Sequence, residues 1–339
     1  MSTSTTYIDR LERELLGAIG RRRRKRTVVT RLAAIAALAS AVVATLVLTE
    51  SGSSPALAID LTGRPTDRSE VVLFVVSSPT PSYWRLTALG DFNGTRWTPY
   101  AETEAASGPV PPACEAKVDG ETVTQTFEIR NLGGPWLPTA FAPVRVDDPD
   151  GITVDAETSS LVTEAGATDG LSYTVESVLC DYDPARLRAA DAPPVGLDRY
   201  LALPPDFPAA LADEARAIAA GASTRYDRAI ALQNWFRDNF TYDRSFRGHG
   251  VNAMKEFLAK RRGYCEQFAG TYAAFARVVG LPSRVAVGFT QGEQRNDGRY
   301  YVQGKHAHAW PEIYFDGVGW VPYEPTPGRA NPAAESTPE

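Results

Sequence analysis

The hydrophobic pattern of the chain changes near residue 190. Before that point, short runs rich in β-branched and aromatic residues are separated by Gly, Pro and Asp, which predicts β-strands joined by turns. The predicted strands cover residues 71–76, 83–89, 122–129 and 171–179. Short strands separated in this way are typical of a β-sandwich or an open barrel. We therefore expect a β-rich module over residues 59–190.

An Asn-Gly pair at residues 93–94 predicts a tight turn inside this module. An aromatic residue lies on either side of the turn, Phe92 before it and Trp97 after it. We expect a hairpin in which the two rings pack together.

After a connector with five prolines at 191–208, apolar residues recur at helical spacing. The predicted amphipathic helices cover residues 209–220, 226–240 and 252–262. A fourth helix is predicted from Cys265, with Gly280 as its C-cap and Pro282 just beyond. Strands follow it, so residues 209–328 are expected to form an α+β domain. The remaining residues, 329–339, lack apolar periodicity and are expected to be disordered.

The N-terminal end combines a basic cluster with an apolar run. Residues 1–31 hold nine Lys or Arg and three Asp or Glu, which gives +6 there and leaves −12 for the rest. The run RRRRKR at 21–26 precedes 17 uncharged residues at 32–48, near the lower limit for crossing a bilayer. We predict a cytoplasmic tail over 1–31, one transmembrane helix over 32–50 and an extracytoplasmic body.

A cleaved signal peptide is the alternative for this region, because ALA at 56–58 resembles a small-residue cleavage site. The long segment before the apolar run and the length of the run itself favour a retained anchor. Both interpretations export the body of the protein. The basic cluster fits anionic lipid headgroups, so membrane lipid is an expected partner and nucleic acid is not.

Export matters for the three cysteines, since an oxidising compartment permits disulfides. Cys114 and Cys180 could pair and leave Cys265 over, although the sequence alone does not decide which pair forms.

Cys265, at the predicted start of a helix, is a candidate nucleophile. A helix N-terminus stabilises a thiolate through its dipole and its outward-pointing N–H groups. A neighbouring imidazole would pair with that thiolate and later protonate the leaving amine, and a carboxylate would fix the imidazole tautomer. His308, in the run KHAHAW, and Glu324, 16 residues later, are the candidates for these roles. The backbone N–H of Cys265 is the expected oxyanion donor.

Other residues near these positions have more than one interpretation. Residues two apart on an extended strand share a face, so His306, His308 and Trp310 are expected to point the same way. His306 is expected to line the cleft or to lie at the start of the strand, without a catalytic role. Tyr264 is a weaker candidate for a second oxyanion donor, and Gln267 either contacts substrate or caps the helix.

Three ordered stretches resemble the transglutaminase-like superfamily, in particular its bacterial membrane-anchored branch. The stretches are YDRAIALQNWFRDNFTYD at 226–243, GYCEQFAGTYAAFARVVGLPSRVAVGF at 263–289 and HAHAWPEIYFDGVGWVPYEPTPG at 306–328. The resemblance covers residues from about 200 to 328. It implies a papain-like α+β fold, in which a helical part with the nucleophile at a helix N-terminus packs on an antiparallel sheet.

The resemblance also implies a catalytic triad of Cys265, His308 and Glu324, with no cofactor and no metal. Glu324 stands where many members of the family have Asp, and its longer side chain can still accept a hydrogen bond from an imidazole. The upstream stretch YWRLTALGDFNGTRW at 83–97 resembles the region that precedes this domain in membrane-anchored relatives. That likeness makes residues 59–190 a companion module.

The implied reaction forms a thioester from a Gln carboxamide or a peptide bond of a protein or peptide substrate, and then transfers the acyl group to an amine or to water. An extracytoplasmic cysteine peptidase acting on cell-wall or envelope peptides and a non-catalytic envelope scaffold are the alternatives. A zinc site of Cys265, His306 and His308 is less favoured, because no C-x-x-C or H-x-x-E accompanies them. A buried, inert Cys265 is the remaining alternative.

Overall fold

The computed structural model describes most of the chain that follows the predicted anchor. It covers residues 59–60, 70–99, 114, 122–147, 151–155, 157–163, 168–178, 180, 182–193, 195–246 and 253–330. The basic tail, the predicted transmembrane segment and residues 331–339 lie outside the described residues. Within the described ranges, no helix has the length and apolar character that crossing a bilayer requires.

The predicted strands of the first half are confirmed to within one residue. In chain order, the strands are β1 (Ile59–Asp60), β2 (Val72–Ser77), β3 (Trp84–Leu89), β4 (Asp91–Phe92), β5 (Arg96–Thr98), β6 (Thr122–Ile129), β7 (Trp136–Leu137), β8 (Pro143–Asp147), β9 (Ile152–Asp155), β10 (Ser160–Thr163), β11 (Ser172–Val178), β12 (Thr241–Tyr242), β13 (Arg262–Gly263), β14 (Ser283–Phe289), β15 (Glu293–Gln294), β16 (Tyr300–Gln303), β17 (Ala307–Phe315) and β18 (Gly319–Pro322).

The four predicted helices are also present, with ends within two residues of those expected. The helices are α1 (Pro184–Ala189), α2 (Ala209–Ala219), α3 (Arg225–Asn239), α4 (Ala253–Lys260) and α5 (Cys265–Val278). The sequence pattern did not predict α1, a short helix that Asp183 caps by accepting a hydrogen bond from the N–H of Arg186. Its six residues are too few to show helical periodicity.

The predicted hairpin around residues 93–94 is confirmed. Strands β4 and β5 pair with Phe92 opposite Trp97. The two rings stack with centroids 4.6 Å apart, and Trp97 is fully buried. The side chain of Asn93 accepts hydrogen bonds from the N–H groups of Thr95 and Arg96, which fixes the turn.

Strands from both halves of the chain share the two largest sheets. The six-stranded sheet has the order β15-β16-β2-β6-β11-β8, so β2 of the first half pairs with β16 of the second. The four-stranded sheet has the order β18-β17-β14-β3, so β3 lies beside β14. Residues 59–190 are therefore joined to residues 209–328 by backbone hydrogen bonds in both sheets.

A buried cluster of charges reinforces the four-stranded sheet. Glu312 of β17 accepts hydrogen bonds from Arg85 of β3, at 2.8 Å and 3.3 Å, and from Arg284 of β14, at 2.5 Å. All three side chains are almost completely buried. Burial alone would raise the pKa of Glu312, but the charges of Arg284 and Arg85 outweigh it and the pKa is lowered. The cluster fixes three strands together, including the strand contributed by the first half.

Helix α5 packs against β14 and β17 and is buried along nearly its whole length. Many of its buried residues are small; they include Ala269, Gly270, Ala273, Ala274 and Ala276. Gly280 ends the helix, but it lies one residue after the C-cap, which is Val279. Its φ of 79° lets the N–H of Leu281 bond to the carbonyl of Ala276. The start of this helix, at Cys265, is thereby held against the sheet.

Cys114 and Cys180 form a disulfide with a Cα–Cα distance of 5.8 Å. This is the pairing that the sequence left open. Since the chain has three cysteines, Cys265 is the remaining thiol.

Candidate active site

Cys265 is the first residue of α5, and its surroundings place the start of that helix. The preceding residue, Tyr264, is extended, and its N–H donates to the side-chain carbonyl of Gln267 at 3.1 Å. Gly263 lies so close to the ring of Phe257 that an added Cβ would be 2.8 Å from it. Cys265 itself is 3% exposed. A thiol in this position faces the positive end of the helix dipole.

His308 and Glu324 form a buried pair. The Nε2 of His308 and the Oε2 of Glu324 are 2.6 Å apart, and neither side chain is exposed. His308 lies in β17, opposite Gly288 of β14. Glu324 follows β18, which pairs with the far end of β17. The β17–β18 hairpin therefore connects the two residues.

Both the side chain and the backbone of Glu324 are held by hydrogen bonds. Its Oε1 accepts a hydrogen bond from the N–H of Thr326 at 2.8 Å. The backbone N–H of Glu324 donates to the side chain of Gln233 in α3, and its carbonyl accepts from Arg237 of the same helix. Sequence reasoning missed Gln233, although a glutamine on the buried face of an amphipathic helix is a signal that could have identified it.

The pKa of His308 reflects two opposing effects. Burial, the largest, would lower the pKa, because it disfavours the charged ring. The charge of Glu324, a side-chain hydrogen bond with Cys265, the hydrogen bond to Glu324 and the charge of Cys265 all raise it, and together they bring the pKa to about 9. The raised pKa favours the imidazolium form of the ring.

The two ring nitrogens of His308 have different partners. Nε2 donates to the Glu324 carboxylate. Nδ1 is buried and bonds to no nitrogen or oxygen of the described residues, so it is the nitrogen available to the Cys265 thiol. The structure thus brings the three sequence-predicted residues, Cys265, His308 and Glu324, into one contiguous group. This arrangement can hold a thiolate beside an imidazolium and keep the ring in one orientation.

His306 lies directly before the strand, which is one of the two positions expected for it, but it does not belong to the extended segment. His306 ends a 3-10 turn formed by Gly304–His306, and the strand begins only at Ala307. Its Nδ1 accepts a hydrogen bond from the N–H of Gln303 at 3.0 Å, and this bond turns the ring toward the preceding turn. The alternation of an extended strand therefore does not extend back to His306. It does hold for Trp310, whose ring stacks on His308 with centroids 6.1 Å apart.

The structure does not support the alternative zinc site of Cys265, His306 and His308. Within the ranges that the structure describes, no group of three or more His, Cys, Asp or Glu side chains is placed to hold a metal ion.

Gln267 caps α5 through its carbonyl, which is one of the two roles expected for it. The hydroxyl of Tyr264 lies 3.5 Å from Glu266, and its role as an oxyanion donor stays a prediction.

Sequence reasoning also missed Tyr83, which lies just before β3. Its hydroxyl is 3.2 Å from the Oε2 of Glu324, and its ring meets that of His308 edge to face at 5.5 Å. The local sequence carries no signal for this contact, because it depends on how β3 pairs with β14.

Two family models match the chain. The TgpA N-terminal domain matches residues 63–184, and the transglutaminase-like superfamily domain matches residues 212–325. The second range contains Cys265, His308 and Glu324.

Two relatives resemble this chain in sequence. A protein-glutamine gamma-glutamyltransferase of Pseudomonas aeruginosa is 30% identical over 249 residues, which are 72% of this chain and 35% of that protein. An uncharacterised protein of Bacillus subtilis, YebA, is 32% identical over 146 residues, which are 40% of this chain and 20% of that protein. The matched part of the chain thus spans 35% of the first relative's length and 20% of the second's.

Solved structures share the fold. The crystal structure of the periplasmic domain of TgpA from Pseudomonas aeruginosa superimposes with a TM-score of 0.64 and 24% identity, over 82% of this chain and 94% of that domain. The same domain bound to ethylmercury superimposes with a TM-score of 0.60 and 25% identity, over 76% and 90%. These likenesses confirm the predicted α+β fold with its transglutaminase-like core. The chain carries a TgpA N-terminal domain followed by a transglutaminase-like superfamily domain, and it is homologous to the periplasmic domain of TgpA.

Proposed function

We propose that this protein is a cysteine acyltransferase that acts on Gln carboxamides of proteins or peptides. The observation that carries the proposal is the group formed by Cys265, His308 and Glu324, in which a helix-start thiol meets an imidazole held by a buried carboxylate. Homology to a protein-glutamine gamma-glutamyltransferase supports the choice of substrate class.

The first half of the reaction forms a thioester. The Cys265 thiolate attacks the carboxamide carbon, and the resulting oxyanion accepts a hydrogen bond from the backbone N–H of Cys265. When the tetrahedral intermediate collapses, the C–N bond breaks and the imidazolium of His308 gives its Nδ1 proton to the leaving nitrogen, which departs as ammonia. Glu324 keeps the ring in place and stabilises its charged form.

The second half releases the acyl group. A Lys-type amine attacks the thioester carbon, and neutral His308 takes its proton. The C–S bond breaks, so the products are an isopeptide crosslink and the restored thiolate–imidazolium pair. Water as the attacking group would instead give a carboxylic acid. A peptide bond in place of the carboxamide would make the same chemistry a peptidase, so these two activities are separate outcomes of the test.

The proposal includes the cellular location of the protein and its orientation in the membrane. The basic cluster at 21–26 and the apolar run at 32–48 would anchor the chain in the cell membrane by a single helix, with membrane lipid around it. The catalytic part would then lie outside the cytoplasm, where its substrates would be envelope proteins or peptides. The Cys114–Cys180 disulfide fits an oxidising compartment.

The test uses the full-length chain in detergent with a fluorescent amine and a glutamine-containing protein such as casein. Amine incorporation and ammonia release are measured in parallel, and a peptide library is analysed by mass spectrometry for cleavage. We expect incorporation by the wild type, and its loss in Cys265→Ala and His308→Ala. His306→Ala is the matched control and should retain activity, since its ring bonds to the 3-10 turn.

Three results separate the alternatives. Ammonia release without amine incorporation would indicate a hydrolase, and cleavage of library peptides would indicate a peptidase. The third result is an absence of turnover together with a wild-type thiol that iodoacetamide alkylates no faster than free cysteine at neutral pH. That result would favour a non-catalytic envelope scaffold.

A further inference from the structure

Tyr83 belongs to the TgpA N-terminal domain, yet it packs against the candidate triad. The residue is 6% exposed and forms a small buried cluster with Ala286 and Trp310. Its ring meets His308 edge to face, with an angle of 88° between the planes, and meets Trp310 at 5.2 Å. Trp310 also stacks on His308 at 6.1 Å, so the three rings are in mutual contact and the two aromatic side chains restrict rotation of the imidazole about its Cβ–Cγ bond.

The hydroxyl of Tyr83 reaches the carboxylate of Glu324. It is 3.2 Å from Oε2, the same oxygen that accepts the hydrogen bond from His308, and 3.0 Å from the carbonyl of Ala330. Thr326 donates to the other oxygen, Oε1. The one hydroxyl proton of Tyr83 is shared between Oε2 and the Ala330 carbonyl. Because His308 bonds to the same Oε2 and Thr326 to Oε1, the carboxylate has little freedom to rotate.

The close approach of β3 to β14 brings Tyr83 to this place. Gly288 of β14 lies opposite His308 on one side and faces β3 on the other. A Cβ at this glycine would be 2.1 Å from the carbonyl oxygen of Trp84 and 2.9 Å from the Cα of Arg85. The register of the two strands shifts at the same point. A residue without a side chain therefore permits the contact that carries Tyr83 to the triad.

We propose that Tyr83 is a positioning residue, supplied by the N-terminal domain, that orients the Glu324 carboxylate toward His308 and thereby maintains the thiolate–imidazolium pair. This inference rests on the proposed function, because it assigns Tyr83 a part in the same triad. It also gives the N-terminal domain a role in catalysis. Without that domain, the transglutaminase-like domain would lack one of the groups that hold the Glu324 carboxylate.

A tyrosine that only fills the core would give some of the same contacts, so the test must separate the two roles. Tyr83→Phe keeps the ring and removes only the hydroxyl. If Tyr83 acts through Glu324, its hydroxyl should matter only while the carboxylate is present, which makes the two substitutions non-additive. Tyr173→Phe is the matched control, because its buried hydroxyl also bonds to a carbonyl, that of Pro138, but its ring belongs to a different core cluster.

The experiment measures the rate of Cys265 alkylation by iodoacetamide as a function of pH, together with kcat and KM for amine incorporation. The full-length wild type is compared with Tyr83→Phe, Glu324→Ala, the double variant and Tyr173→Phe. We expect Tyr83→Phe to lower kcat about tenfold with KM unchanged, as the loss of one hydrogen bond to a charged group predicts. We also expect its alkylation midpoint to move to higher pH, in the direction of Glu324→Ala.

In the Glu324→Ala background, Tyr83→Phe should cause no further change, and Tyr173→Phe should leave both profiles as in the wild type. Wild-type behaviour of Tyr83→Phe would overturn the inference, and so would effects of the two substitutions that simply add. These outcomes concern Tyr83 alone as long as the wild type shows rapid alkylation and turnover. If the wild type shows neither, the proposed function itself fails, and the two failures are thereby distinguished.

Discussion

The Nε2 of His308 and the Oε2 of Glu324 lie 2.6 Å apart inside a site where neither side chain contacts solvent. Water cannot weaken this contact, and burial makes the charge of each partner depend on the other.

Replacing Glu324 by Gln should lower kcat by about three to four orders of magnitude, because an amide neither stabilises the imidazolium nor selects its tautomer in the same way. Kinetics of amine incorporation by the full-length variant, with circular dichroism to check the fold, measure this effect. Glu157→Gln is the matched control, since Glu157 also accepts a hydrogen bond from a tyrosine, Tyr200, but lies outside the triad. Equal turnover of wild type and Glu324→Gln would remove Glu324 from the mechanism.

The stability that His308 contributes should depend on pH. Its pKa is raised from 6.5 to about 9 in the folded protein, so folding favours the protonated ring. This contribution is fully present below pH 6.5 and is lost as the pH rises through about 9. Urea unfolding of wild type and Glu324→Gln, with the disulfide intact, should show the larger difference in free energy at the acidic end of this range. A difference that stays constant across the range would contradict the raised pKa.

Gly288→Ala should destabilise the protein by about 1–3 kcal/mol, because the new Cβ would collide with backbone atoms, which cannot rotate away as a flexible side chain can. Activity should fall further than the lost stability explains, since β3 also carries Tyr83 toward the site. Chemical denaturation and turnover well below the melting temperature separate these effects. The matched control is Gly221→Ala, where an added Cβ meets nothing within 4 Å. Full activity of Gly288→Ala would show that the close approach is dispensable.

Glu312→Ala should destabilise the fold by about 3–5 kcal/mol, because it leaves the guanidinium groups of Arg85 and Arg284 buried without their carboxylate. Thermal unfolding measures the loss. Asp213→Ala removes the exposed partner of Arg216 and should cause a much smaller change. Similar losses in both variants would mean that the buried cluster contributes no more than a surface ion pair.

The local sequence predicted most of the secondary structure and the three residues that the structure brings together in the candidate site. Helical periodicity and turn residues located the strands and helices, because those signals depend on neighbouring residues. Cys265, His308 and Glu324 were found because each lies in a short motif. His306 was expected to share a strand face with His308, but the strand begins one residue later, after a turn that Gln303 stabilises. Spacing within the sequence does not reveal where an extended segment begins.

Tyr83 and the buried charge cluster could not be predicted in this way. Both depend on the pairing of β3 with β14, two strands almost 200 residues apart in sequence. Arg85 reads as an ordinary polar residue in a strand, and only the register shows that it points toward Glu312. Long-range strand pairing is set by the whole fold and leaves no local pattern.

The interleaving of strands from both parts of the chain limits how this protein can be divided. A chain shortened to residues 209–328 would expose the hydrogen-bonding edges of β14 and β16 where β3 and β2 now lie. Bare edges of this kind attract other strands, so such a fragment should self-associate. Either part could be exchanged for that of a distant homologue only if the new strands paired correctly at both edges, so the two domains form one structural unit.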